Sequence, residues 1–133
     1  MSRENVELVE RGYAAWNNRG DMDAMLALFE AEFEFVPSGV LPGLAPVYRG
    51  HQGWRDFWSD FRETWASLQI EINEAHDIGE HVVALLTFHA RSRDELEVHR
   101  QFANIWTVRN GLAVRLQAYG EWTAALEAAD LSE

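Results

Sequence analysis

The chain reads as one α+β domain over residues 1–133, with helices first and a meandering antiparallel sheet after them. Three observations predict this class. Apolar residues recur at spacings of three and four in the N-terminal stretch and again over 54–65, the period of helices with one buried stripe. From residue 68 onward the pattern shortens to alternation, the period of strands. Asn110-Gly111 then joins two alternating runs, the strongest hairpin signal in the chain, because a type I′ turn needs positive φ at both central residues. Helices followed by antiparallel strands gather on one face of a sheet that curls around them.

In order, Val6, Val9, Tyr13 and Trp16 form the apolar stripe of a first helix, capped by Ser2 and ended by Asn17, Asn18 and Gly20. Asp21 is the N-cap of a second, short helix with Met22, Met25, Leu26 and Phe29 on its apolar face. Glu32 to Val36 alternates as a strand until Pro37 removes a backbone donor. Residues 37–50 hold three prolines and three glycines, too irregular for an element and suited to covering a cavity. A third helix carries Trp54, Phe57, Trp58, Phe61 and Trp65 on one face. Strands are expected around Leu68–Ile72, Val82–Phe88, Leu96–Arg109 and Leu112–Tyr119, with a turn over Asp77–Glu80. A short helix containing Trp122, Ala125, Leu126 and Ala129 closes the chain.

Apolar residues make up 47% of the chain and aromatics 12%, with no low-complexity tract, linker or repeat, as in a globular fold. The absence of cysteine excludes disulfides, thiolate nucleophiles and Cys-ligated zinc, and suits a reducing compartment. Arg3, Glu4, Glu7 and Glu10 leave no apolar core for a signal peptide, and no apolar run approaches a membrane span. A cytoplasmic address is expected. With 22 acidic against 11 basic residues, a net charge of −11 repels phosphate backbones and anionic lipid, so neither nucleic acid nor membrane is an expected partner.

Three segments, NNRGDMDAMLALFE (17–30), VYRGHQGWRDFW (47–58) and RQFANIWTVRNGLAVRLQAYGEWTAALEAADLSE (100–133), resemble the SnoaL-like branch of the NTF2-like superfamily, nearly end to end. The resemblance implies a cone: three N-terminal helices on a curved mixed or antiparallel sheet, a short C-terminal helix, a pocket inside, and usually a dimer. It also implies a range of chemistries, among them polyketide cyclases, ketosteroid isomerases, epoxide hydrolases and dehydratases, so fold alone selects none.

A two-residue turn at 110 and 111 puts Arg109 opposite Leu112 and sets the expected register. Trp106 then faces Arg115, Asn104 faces Gln117, Phe102 faces Tyr119 and Arg100 faces Glu121, a mixed polar and aromatic set that the resemblance assigns to the pocket. The other face, with Ile105, Leu116, Thr107, Val114, Ala103 and Ala118, is smooth and apolar, and is expected to form a homodimer interface. The alternative arrangement has the helices covering the smooth face and the polar set solvated.

Tyr13 stands where ketosteroid-isomerase-like members keep an oxyanion-donating tyrosine, and Asn104 near their second donor, an acid. Together they are the candidate catalytic pair, two donors for a developing enolate; the alternative for Tyr13 is a core residue with a satisfied hydroxyl. The base of those members, an aspartate before a proline in the first strand, is replaced by Val36, which takes no proton. Glu34 or a histidine would have to substitute, and Glu34 alternatively is a solvated strand carboxylate. Trp16, Trp58, Arg100, Trp106, Gln117 and Tyr119 complete the expected ligand-binding set, with Arg100 as orienter or as one half of a rim ion pair. The five histidines lack metal-ligand spacing, although His89 and His99 are expected opposite each other across a hairpin; no metal is implied. RGHQG lacks the strand and lysine of a phosphate loop, and no cofactor is implied. Two functions remain open: a cofactor-independent isomerase, cyclase or (de)hydratase acting on an apolar ring compound, or a non-catalytic ligand-binding or dimerisation module.

Overall fold

The computed structural model describes residues 3–18, 21–41 and 43–131; the Ser2 cap and the Gly20 stop lie outside the described residues. Helices α1 (Arg3–Asn17) and α2 (Met22–Leu26) lead into β1 (Phe29–Val36) and a loop ending in the two-residue β2 (Tyr48–Arg49). Then follow α3 (Gly50–Thr64), β3 (Trp65–Ile78), β4 (His81–Ser92), β5 (Glu97–Arg109), β6 (Leu112–Tyr119) and α4 (Trp122–Leu131). The strands form one six-stranded sheet in the order β2-β1-β6-β5-β4-β3. Neighbours are antiparallel except β1 and β6, which run parallel. The architecture is α+β, as expected.

Local chemistry accounts for most boundaries. The Asp21 carboxylate accepts from the Ala24 N–H at 3.2 Å and starts α2. That helix is shorter than its apolar pattern because Phe29 belongs to β1, stacked on Phe33 with centroids 3.9 Å apart. Trp65, expected on α3, has extended backbone and opens β3 directly. Strand β2 was not legible, since two residues carry no period; Tyr48 pairs with Phe35 and Arg49 with Glu34. The Asn110-Gly111 turn forms as expected, both residues at positive φ.

The expected register fails two pairs beyond that turn. Arg109 faces Leu112 and Val108 faces Ala113, but Thr107 faces Arg115, leaving Val114 as an extra residue. Such a bulge flips every later side chain of the strand to the other face. Trp106 therefore faces Leu116 and Asn104 faces Ala118, while Gln117 lies opposite Ile105 and Tyr119 opposite Ala103. Next to the bulge, Ala113 is held from both sides: it stands opposite Val108 of β5, and its N–H donates to the Leu28 carbonyl at 2.8 Å.

This corrects the expected faces. The face toward α1 and α3 is the more apolar one, bearing Phe102, Trp106, Leu116 and Ala118 in the main core. On the outer face, Val83, Leu85, Ala103 and Ile105 form a second cluster with Ala125 and Ala129 of α4. Ile105 and Leu116 do not share a face, and the apolar centre of the outer face is covered by the chain itself. Helices thus pack on both sides of the sheet, so an uncovered apolar face does not argue for a second copy.

Candidate functional site

Between the helices and the sheet lies a cavity of about 50 Å³. Gly12, Tyr13 and Trp16 of α1 contribute one wall, Trp54 and Phe57 of α3 another, and Phe102, Asn104, Trp106, Leu116 and Ala118 the floor. Pro37, Val40, Leu41 and Leu44 come from the loop after β1, which roofs the cavity. Two contacts hold that loop: the Tyr48 hydroxyl accepts from the Ala45 N–H at 2.8 Å and donates to Asp60 at 2.7 Å. Burial, with a smaller contribution from Asp60, raises the Tyr48 pKa, so the hydroxyl stays a donor.

Among the described residues the lining is mostly apolar; its polar atoms are the unpartnered indole N–H groups of Trp16 and Trp54 and one hydrogen-bonded trio. The Tyr13 hydroxyl accepts from Asn104 Nδ2 at 2.6 Å and from Trp106 Nε1 at 2.9 Å. All three residues are at most 5% exposed. Sequence distance does not predict this meeting, since 91 positions separate Tyr13 from Asn104. Close packing produces it: the Trp106 ring stands edge-on to Tyr13 at 5.5 Å, and a Cβ on Gly12 would lie 2.8 Å from that ring. Burial drives the Tyr13 pKa far above the ordinary tyrosine range, against the smaller opposing pull of the two N–H groups. The phenol therefore remains protonated.

The hydrogen-bond inventory leaves this trio with capacity to spare. Tyr13 accepts twice and keeps its own proton, while Asn104 Oδ1 is buried without a partner. Turning the amide by 180° lets Tyr13 donate to Oδ1 and frees the Nδ2 protons instead. In both orientations at least one donor is unspent within an apolar cavity, where an unmatched polar group costs about 1–3 kcal/mol. A carbonyl or hydroxyl oxygen from a ligand matches it.

Of the expected site residues, Tyr13, Asn104, Trp16 and Trp106 come together in the cavity. Gln117 and Tyr119 do not, because the bulge turns them to the outer face. Trp58 packs against Trp16, centroids 4.7 Å apart and planes tilted by 46°, but lines a neighbouring groove. Arg100 shares the cavity face of the sheet with its ladder partner Phe88, but it is exposed and does not line the cavity. Glu34 faces away, accepting from Arg49 and Arg115 Nε at 3.2 Å each, and is no substitute base. Val36 does not line the cavity, and among the described residues no carboxylate or imidazole does. His89 and His99 are opposite each other as expected, with their Nδ1 atoms 2.6 Å apart on exposed strand positions. The missed lining residues Leu116 and Ala118 follow from the bulge, and Val40, Leu41 and Leu44 lie in a loop without periodicity.

A six-stranded mixed sheet closed by helices over an apolar cavity defines the NTF2-like, ketosteroid-isomerase-like class of fold. Within it the chain belongs to the SnoaL-like domain family, whose profile matches residues 9–116. Among solved structures, an NTF2-like protein of unknown function from Burkholderia pseudomallei superposes with a TM-score of 0.83 at 21% identity, covering 96% of this chain and 97% of that one. TerC, co-crystallized with polyporic acid, gives 0.82 at 25% identity over 96% and 98%. A putative SnoaL-like polyketide cyclase from Jannaschia sp. CCS1 gives 0.77 at 15% identity over 96% and 92%. No curated protein matches the chain. Among the described residues no helix is long and apolar enough to cross a membrane.

Proposed function

We propose that the chain binds a small apolar ring compound bearing a carbonyl or hydroxyl, held beneath the 37–47 loop with its oxygen on Tyr13 and Asn104. The observation that carries this reading is the Tyr13–Asn104–Trp106 trio, a hydrogen-bonded polar cluster with an unspent donor inside a mostly apolar cavity. A relative of the same fold was crystallised with a small molecule, polyporic acid, which supports the same class of partner. The cavity of about 50 Å³ admits a few waters but is smaller than the roughly 150 Å³ of a cavity that takes benzene. Binding therefore requires Val40, Leu41 and Leu44 to move outward with the loop.

A second reading, a cofactor-independent isomerase, cyclase or (de)hydratase, is favoured by one feature. Two N–H groups on the Tyr13 oxygen stabilise charge there, so the tyrosine proton is placed to meet an oxyanion as it develops. With no carboxylate or imidazole lining the cavity among the described residues, proton abstraction falls to the ligand itself or to water. The proposal includes a cytoplasmic address, from the cysteine-free composition, and a homodimer through the outer face of the sheet, for which the family resemblance is the support.

The test is a thermal-shift screen of ring ketones and phenols against their hydrocarbon isosteres, on the wild-type chain and on Tyr13→Phe. The ketones should raise the midpoint of the wild type and lose most of that shift in the variant. Hydrocarbons stabilising as strongly as ketones would overturn the role of the trio.

A further inference from the structure

A groove of about 240 Å³ adjoins the cavity, sharing Trp16 and Leu68 with it, where the end of α3 meets the start of β3. Trp16, Trp58 and Trp65 line it, each at least nine-tenths buried. The indole N–H of each is buried and has no acceptor. Arg62 also lines the groove, its guanidinium 5.6 Å from the centroid of the Trp58 ring. Among the described residues no carboxylate lines the groove, and none pairs with the Arg62 side chain.

The chemistry is one-sided. An indole N–H donates and never accepts, and a guanidinium offers five donors and no acceptor. Three flat rings beside one cation suit a flat aromatic body, while a fork of N–H groups suits a carboxylate in two-point contact. In a chain of net charge −11, an unpaired arginine over a tryptophan is a local exception to a field that otherwise repels anions.

We propose that this groove is a second ligand site, for an aromatic carboxylate whose ring lies among Trp16, Trp58 and Trp65 and whose carboxylate is held by Arg62. Tyr13 does not line the groove, so the site does not depend on it, and the two proposals fail separately.

The experiment titrates 1-naphthoate, with 1-naphthamide as the neutral counterpart, into the ¹⁵N-labelled full chain and follows the tryptophan indole resonances. Saturable shifts are expected at Trp16, Trp58 and Trp65 but not at Trp122, whose N–H already donates to the Leu86 carbonyl. Arg62→Gln should weaken naphthoate at least tenfold and leave naphthamide unchanged, and Tyr13→Phe should leave naphthoate binding as it is. The proposal is overturned if Arg62→Gln binds naphthoate as tightly as the wild type, if the amide binds as tightly as the acid, or if the shifts fall on Trp106 and vanish in Tyr13→Phe.

Discussion

Replacing Tyr13 by Phe keeps the ring and removes one oxygen, and the structure makes that oxygen the shared acceptor of two buried N–H groups. Each donor left without an acceptor costs about 1–3 kcal/mol, because its desolvation is no longer offset. Trp106 and Asn104 are 2% and 5% exposed, so neither reaches bulk solvent. A water entering the cavity can satisfy one of them, which leaves an expected loss of about 1–3 kcal/mol. For a domain of this size that lowers Tm by roughly 4–12 °C. Urea denaturation with the m-value unchanged is the assay. The double variant Tyr13→Phe/Asn104→Leu should be less destabilised than the sum of the single variants, since removing both partners leaves fewer unmatched groups. A loss below about 0.5 kcal/mol in Tyr13→Phe would refute the shared-acceptor geometry.

Three further outcomes follow from the same structure. Since burial raises the Tyr13 pKa above its ordinary 10.0, the unfolded chain releases a proton first as pH climbs. The associated stability is present below about pH 10 and is lost as pH climbs further, approaching about 1.4 kcal/mol per pH unit for this residue; in denaturation from pH 9 to 11 the slope should steepen toward one proton by pH 11 in the wild type, and Tyr13→Phe should lack that contribution. Gly53→Ala would place a Cβ 2.9 Å from the backbone carbonyl carbon of Tyr48, forcing α3 from β2 at about 1–3 kcal/mol, measurable by the same denaturation; an unchanged midpoint would contradict the close approach. Sedimentation velocity at micromolar concentration should give a species of twice the 15.2 kDa chain mass if the outer face pairs two copies, and a monomer would remove the homodimer from the proposal.

What was legible in the sequence was local. The stripe holding Tyr13 and Trp16, the Asp21 cap, the stop at Pro37 and the Asn110-Gly111 turn depend on neighbours within a few residues, and each formed as expected. What escaped depends on pairing between distant segments. The bulge at Val114 lies beside Ala113, which is also held by Leu28, some 85 positions earlier in the chain, and nothing near Val114 signals it. That single residue moved Gln117 and Tyr119 out of the site and Leu116 and Ala118 into it. The coverage of Ile105 by α4 was missed for a related reason: the small side chains of Ala125 and Ala129 make a weak apolar stripe, yet they let the helix lie close on the sheet. Tyr13, Asn104 and Trp106 were legible because Tyr13 lies on a helix and the other two on β5, whose alternation is unbroken since the extra residue is in β6.

The central claim is that a ligand oxygen engages the Tyr13–Asn104–Trp106 trio, and nuclear magnetic resonance of the ¹⁵N-labelled chain tests it most directly. Titration with 1-indanone should shift the Trp106 indole and the Asn104 side-chain amide saturably, while indane, which lacks the carbonyl, should shift them far less. Equal shifts with both compounds, or saturable binding of indanone that leaves both resonances in place, would contradict the account.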